Sequence, residues 1–284
     1  STDPKVLDDI VKAYDVRGTV PDQVNTDVAY ALGVAFARFC GTERLLVARD
    51  MRPSGPELVD AFSRGAMEQG VDVVDLGLAS TDLMYYAAGT LDAPGAMFTA
   101  SHNPAQYNGV KFCLSGARPV GVDTGLDDVK RMAQEVLAGH GPAAAVTAGS
   151  SSSRNLLSAF ADHVVSFVDL NGLRPLKVVA DTANGMGGLV VPAVFDGLPF
   201  DLEVMYGELD GTFPNHPADP IQPENQRDLM ARVLEVGADI GLAFDGDADR
   251  VFLVDEQGVG LSGSTTTAIL ADAILKSKPG GKVV

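Results

Sequence analysis

The chain has little with which to cross-link itself, to hold nucleic acid or to enter a membrane. Its two cysteines, Cys40 and Cys113, cannot form a disulfide framework or a zinc site by spacing. Both sit among apolar neighbours and read as small buried hydrophobes, from which a cytoplasmic location follows. Positive charge is scarce: 21 Lys plus Arg stand against 38 Asp plus Glu, a formal net charge of −17. A field of that sign repels nucleic acid and anionic membranes at long range, so neither is an expected partner. No segment approaches the roughly 18 unbroken apolar residues of a membrane span. Ser1-Thr2-Asp3-Pro4-Lys5 lacks the basic start and apolar run of a signal peptide. At 284 residues the chain has length for roughly two domains.

What is present is a regular alternation of patterns. Apolar residues at helical spacing predict helices over 26–39 (Thr26 as N-cap), 55–69, 81–91, 126–137, 156–167, 225–236 and 265–275. Short apolar runs predict strands over 45–48, 71–74, 95–98, 110–114, 176–180, 201–205, 240–244 and 251–254. Strands alternating with helices predict an α/β fold, its sheets mostly parallel with helices on both faces. Such sheets bind ligands outside the carboxyl ends of their strands. From Ala138 to Ser153 the composition shifts to Gly, Pro, Ala and Ser. This predicts a first domain over 1–142, a linker over 143–154 and a second domain over 155–254.

Two loops lie at predicted strand ends. The first is Thr99-Ala100-Ser101-His102-Asn103-Pro104, followed by Tyr107-Asn108-Gly109-Val110-Lys111. Pro104 and Gly109 keep it from becoming helix or strand. Ser101 is placed to be a nucleophile or to carry a phosphoryl group, and His102 and Lys111 to move protons or hold an anion. The competing reading is an ordinary polar turn whose Ser and Asn satisfy backbone groups. The loop lies in an acid-free stretch between Asp92 and Asp123.

The second is Asp245-Gly246-Asp247-Ala248-Asp249-Arg250, three carboxylates at alternate positions after a strand. Hard divalent cations want such clustered oxygens, and the acids repel one another without one. The spacing matches part of an EF-hand, but Arg250 stands where that loop needs Gly, and the flanks read as strands. Arg250 suits a phosphate or sugar oxygen near the metal, or simply neutralises Asp249. Arg17, in Lys12-Ala13-Tyr14-Asp15-Val16-Arg17-Gly18, is a surface charge or an anion clamp. Asp181-Thr182-Ala183-Asn184-Gly185-Met186-Gly187-Gly188 closes a strand–helix junction or offers backbone N–H groups to an anion.

These four stretches, in their order and spacing, resemble the α-D-phosphohexomutase superfamily, in its phosphomannomutase/phosphoglucomutase branch. The resemblance implies consecutive αβα domains with mixed, mostly parallel sheets, four in all. Residues 255–284 would begin the third, so the chain is expected to be truncated within it. The family's sugar-selecting loop and last phosphate clamp are not found, which implies weak turnover and exposed apolar surface.

By the resemblance Ser101 is the phosphoserine and completes a Mg²⁺ site with Asp245, Asp247 and Asp249. Lys111 is the leading acid/base, with His102 beside it. Arg17 and Arg250 support the phosphoryl group and sugar, and Tyr14 lines the pocket. The implied reaction moves phosphate between O1 and O6 of mannose or glucose phosphate, with a hexose 1,6-bisphosphate as intermediate and activator. Phosphoglucosamine mutase, a phosphatase and a non-catalytic phosphosugar- or metal-binding protein are the alternatives. The preferred hexose and the oligomeric state stay open.

Overall fold

The computed structural model describes residues 2–283. The strands are β1 (Val16–Thr19), β2 (Arg44–Arg49), β3 (Asp72–Leu78), β4 (Gly95–Phe98), β5 (Tyr107–Leu114), β6 (Arg118–Pro119), β7 (Ser151–Ser153), β8 (Lys177–Asp181), β9 (Asp201–Met205), β10 (Ile240–Phe244) and β11 (Val251–Val254). The helices are α1 (Val6–Ile10), α2 (Thr26–Cys40), α3 (Gly55–Glu68), α4 (Thr81–Thr90), α5 (Leu126–Leu137), α6 (Leu157–Val165), α7 (Gly187–Phe195), α8 (Arg227–Val236) and α9 (Gly263–Ser277).

The first sheet runs β1-β5-β4-β2-β3-β7, with β6 on β5; the second runs β11-β10-β8-β9. Both are mixed. In the first, β4, β2, β3 and β7 are parallel, whereas β5 runs against β1, β4 and β6. The antiparallel share exceeds the sequence expectation because β5 starts at Tyr107, earlier than the apolar run at 110–114, and returns directly from β4. Gly109 permits this. Opposite Arg17 in the β1–β5 register, it lies so close that a Cβ there would come 1.9 Å from the Val16 carbonyl oxygen.

Helix positions follow the apolar spacing closely, with α5 over 126–137 as expected. The N-cap of α2 is Asn25 rather than Thr26: its side chain accepts the Val28 N–H at 3.1 Å. Residues 223–226 form a 3₁₀ turn ahead of α8, because Pro223 supplies no N–H. The stretch expected as a linker contains β7, whose residues pair with Val73, Val74 and Asp75 of β3 and extend the first sheet. Cys113 is buried as expected; Cys40 is only partly so, at the end of α2.

Under the first sheet Phe36, Phe62, Phe98 and Phe112 pack together, Phe36 on Phe112 at 4.3 Å and Phe62 edge-on to Phe98 at 5.5 Å. Phe98 is the last residue of β4, so this packing anchors the strand that leads into the Ser101 loop. A second cluster joins Leu46, Leu83 and Met97 to Phe160 of α6 and Val190 of α7, tying the two sheets' layers together. A third, around Val179, Leu229, Val233 and Ala243, lies on the second sheet. On α9, Ile269, Leu270 and Ile274 remain more than half exposed. Among the described residues no helix is long and apolar enough to cross a membrane.

Candidate active site

The Ser101 loop leaves the carboxyl end of β4, and Ser101 sits in the left-handed region at φ +50° while almost wholly buried. A non-glycine residue holds that conformation only where its surroundings impose it. Here its N–H donates to Thr99 Oγ1 at 2.9 Å, and the Asn103 N–H closes the turn onto the Ala100 carbonyl at 2.9 Å. The Ser101 hydroxyl is thereby aimed across the interface at Asp245, donating to Oδ2 at 2.8 Å.

The acidic loop meets it from β10. Gly246 lies flat against the serine: a Cβ there would stand 2.3 Å from the Ser101 carbonyl oxygen. The Arg250 guanidinium donates from Nη2 to Ser101 Oγ and to His102 Nδ1. The His102 Nδ1 therefore accepts and the ring is neutral. Burial and the neighbouring Arg250 charge both hold its pKa below the ordinary value.

Asp247 is fully buried and built into the first half of the molecule. Its Oδ2 accepts from Thr81 Oγ1 at 2.6 Å and from Lys111 Nζ at 2.7 Å. Its carbonyl accepts the Thr81 N–H at 3.1 Å. Thr81 opens α4, whose N-cap is Ser80, so the helix end adds its partial positive charge. Burial works to raise the Asp247 pKa, but Lys111 and the Thr81 hydroxyl outweigh it and hold the carboxyl low. Lys111 also reaches Asp249 Oδ2 at 2.8 Å. Burial opposes its charge, yet the two carboxylates win and keep the ammonium protonated well above its usual range. Asp245 goes the other way, raised by burial and by the charges of Asp247 and Asp249.

One ligand oxygen from each of Asp245, Asp247 and Asp249 lies within 4.8 Å of the others. Oδ1 of Asp247 and Oδ1 of Asp249 are buried without a hydrogen-bond partner, the latter 3.5 Å from Arg250 Nε. Buried anionic oxygens left unpaired are costly, and a hard divalent cation is the group that fits an all-oxygen set of this kind.

The other expected residues fall around this centre. Arg17 pairs with Asp15 and donates from Nη1 to Asn103 Oδ1 at 2.6 Å, while its buried Nε has no partner. Arg17, Tyr14 and Lys111 line one cleft of about 590 Å³ with Lys12, Asp15 and Tyr85. Tyr14 is 80% exposed there. Residues 181–188 form the junction of β8 and α7 and back the acidic loop, the Met186 N–H donating to the Gly246 carbonyl at 2.9 Å.

Sequence reasoning missed Thr81 as a partner of Asp247, and it missed Asp50 and Arg52. Arg52 is 1% exposed and pairs with the fully buried Asp50, Nε to Oδ2 at 3.2 Å. The signal was available: a charged Asp-x-Arg directly after the apolar strand 44–49, at the end of the sheet where ligands bind.

Comparison with known proteins gives a consistent picture. The family model described as phosphoglucomutase/phosphomannomutase, alpha/beta/alpha domain I, matches residues 8–136, and the corresponding domain II model matches 158–258. A curated protein of Xanthomonas campestris pv. campestris named phosphohexose mutases is 40% identical over 274 residues, covering 96% of this chain and 60% of its own length. A phosphomannomutase of Salmonella montevideo is 39% identical over 280 residues, covering 96% and 61%. The crystal structure of a phosphoglucomutase/phosphomannomutase family protein from Burkholderia thailandensis superposes with a TM-score of 0.86 at 33% identity, over 99% of this chain and 61% of that one. The chain thus spans about 60% of the length of these relatives.

Proposed function

The chain belongs to the phosphoglucomutase/phosphomannomutase family, and from that premise we propose that it carries the phosphoserine and metal half of a hexose phosphomutase. The reaction is reversible transfer of a phosphoryl group between O1 and O6 of mannose or glucose phosphate, by way of phosphorylated Ser101 and a hexose 1,6-bisphosphate. The observation that carries this reading is the meeting of the strained, buried Ser101 hydroxyl with Asp245, beside two buried carboxylate oxygens that no hydrogen-bond donor satisfies. The division into domains over 1–142 and 155–254 belongs to the same proposal.

Asp245, Asp247, Asp249 and the oxygen on Ser101 would hold Mg²⁺. When bound it supplies Lewis-acid polarisation of the phosphoryl oxygens and offsets their charge. The protein's own groups do the rest. As a sugar hydroxyl oxygen forms its bond to phosphorus, the bond from phosphorus to Ser101 Oγ breaks. Arg250, already donating to that oxygen, stabilises the charge left on it. Lys111, held protonated by Asp247 and Asp249, gives a proton to the departing oxygen and recovers one from the attacking hydroxyl. His102 fixes Arg250 by accepting from it. Arg17 and Tyr14 receive the sugar phosphate in their cleft, and positioning with charge stabilisation does most of the catalysis.

Site-mapped mass spectrometry of Ser101, before and after glucose 1,6-bisphosphate with Mg²⁺, tests the proposal. A phosphoryl group on Ser101, removed again by added hexose phosphate, is expected. In Asp247→Asn uptake is expected to fall by about 100-fold or more, the scale for removing one transition-state contact. An unmodified Ser101 in the wild-type protein overturns the reading.

A further inference from the structure

All five N–H groups of the buried Arg52 side chain are spoken for, and four of their acceptors are backbone carbonyls of the serine loop. Nη2 donates to the Ser101 carbonyl at 3.0 Å and the Asn103 carbonyl at 2.7 Å. Nη1 donates to the Pro104 carbonyl at 2.7 Å and the Tyr107 carbonyl at 2.8 Å. Nε takes Asp50 Oδ2. Asp50 is fixed in turn, its N–H donating to the Phe98 carbonyl at 2.9 Å and its Oδ1 accepting the Arg52 N–H at 3.0 Å. The whole loop from strand end to strand start is thus gathered onto one cation.

The second half of the molecule closes over this cation. The Phe213 ring lies 5.2 Å from the guanidinium carbon. Gly211 approaches so near that a Cβ there would stand 2.6 Å from Arg52 Cα and 2.9 Å from the Met51 carbonyl oxygen. Gly246 presses on the same Ser101 carbonyl that Arg52 holds.

We propose that Arg52 is the positioning residue for Ser101: it imposes the left-handed serine backbone, and Gly211 and Phe213 of the second half clasp it in that role. This rests on the phosphoserine reading above. The demand is a physical one. Ser101 gains and loses a group of about two negative charges in each cycle, so its side-chain contacts must change. A loop held through its carbonyls keeps its course while the side chain exchanges partners. A lysine keeps the charge but has only three donors and no planar fork, and cannot hold five acceptors.

The test compares wild type, Arg52→Lys and Phe213→Ala. Three readouts are taken: the rate of Ser101 phosphorylation by glucose 1,6-bisphosphate, Mn²⁺ affinity, and amide hydrogen exchange over 101–109 against 245–250. Arg52→Lys is expected to slow phosphorylation about 100-fold, the scale for roughly an ångström of misplacement, with Mn²⁺ affinity kept within about threefold. Exchange is expected to rise at 101–109 and not at 245–250. Phe213→Ala is expected to shift the same readouts in the same direction by a smaller factor. Phosphorylation by Arg52→Lys within about threefold of wild type overturns the proposal, as does an equal rise in exchange in both loops. If wild type itself takes up no phosphoryl group, the functional reading fails and exchange alone decides: unchanged protection at 101–109 in Arg52→Lys then overturns the role of Arg52.

Discussion

Strand for strand, β5-β4-β2-β3 in the first sheet matches β11-β10-β8-β9 in the second, with the same sequence of antiparallel, parallel and parallel pairings. Asp50 follows β2 as Asp181 closes β8. Aligning the two acids sets Arg49, opposite Phe98, against Ala180, opposite Leu242. Three residues further on stand Ser101 and Asp245. The two groups that meet at 2.8 Å thus occupy equivalent places in two copies of one topology. Each lies on the hairpin connection where pairing changes from parallel to antiparallel, a place where open α/β sheets leave a crevice at their strand ends. The copies differ in what they do with that place. One presents a hydroxyl on a loop gathered around Arg52, the other presents carboxylates on a loop in which Ala248 takes the left-handed conformation and Gly246 leaves room for the Ser101 carbonyl.

The largest expected effect separates the two contributions. Ser101→Ala is expected to abolish phosphoryl uptake, by about a thousandfold or more, because the nucleophile is gone. Mn²⁺ binding should persist in it, since three carboxylates remain. Asp245→Ala is expected to lose both. Label incorporation beside a Mn²⁺ titration checks this, and loss of Mn²⁺ binding in Ser101→Ala to the level of Asp245→Ala would make the loops one unit rather than two.

A smaller effect is expected from the contact itself. Gly246→Ala puts a methyl group 2.3 Å from the Ser101 carbonyl oxygen, so backbone must move. A loss of about 1–3 kcal/mol is expected, the range for overpacking, measured by urea unfolding. A change below about 0.5 kcal/mol would mean that the loops can separate without cost.

The elements were largely legible because apolar residues recur at helical or strand spacing along most of them; α5, β9, β10 and β11 fall where apolar spacing places them. The reactive groups were legible too, since Ser101 and the three acids stand where apolar runs stop. What periodicity could not carry was pairing across the chain. Nothing local to Thr81 announces that Asp247 will sit on it, or that Arg52 will collect carbonyls 49 to 55 residues away. The strand β7 was hidden for a related reason. Four serines have no apolar signal, and it is the unpaired edge of β3 that orders three of them.

The comparison sharpens last at the two strand-end acids. Asp50 holds an arginine, which stays charged at any pH of interest, whereas Asp181 holds His216, Nε2 to Oδ2 at 2.8 Å. The other ring nitrogen, Nδ1, lies 2.8 Å from the Pro217 carbonyl. Both neighbours are acceptors, so a ring with a proton on each nitrogen satisfies both, and the site favours the charged form. Burial alone would lower the His216 pKa, but the Asp181 carboxylate and the Pro217 carbonyl outweigh it and raise it above 6.5. Asp228 adds to the rise from beyond Tyr206, whose ring lies 5.4 Å from the imidazole. A histidine whose folded pKa is raised contributes its full stabilisation below the unfolded value and loses it as pH climbs through the folded one. The second half is therefore expected to lose stability as pH rises from 6.5 through the raised folded value. Arg52 in the first half has no proton to lose over that span. Urea unfolding followed across pH 5.5 to 9 in wild type and His216→Gln, on the order of eight points, measures the difference. The variant is expected to be the less stable protein in mild acid and to converge on wild type in mild base. Parallel curves across the whole range would mean that His216 is neutral in the folded chain and that the two acids differ only in shape.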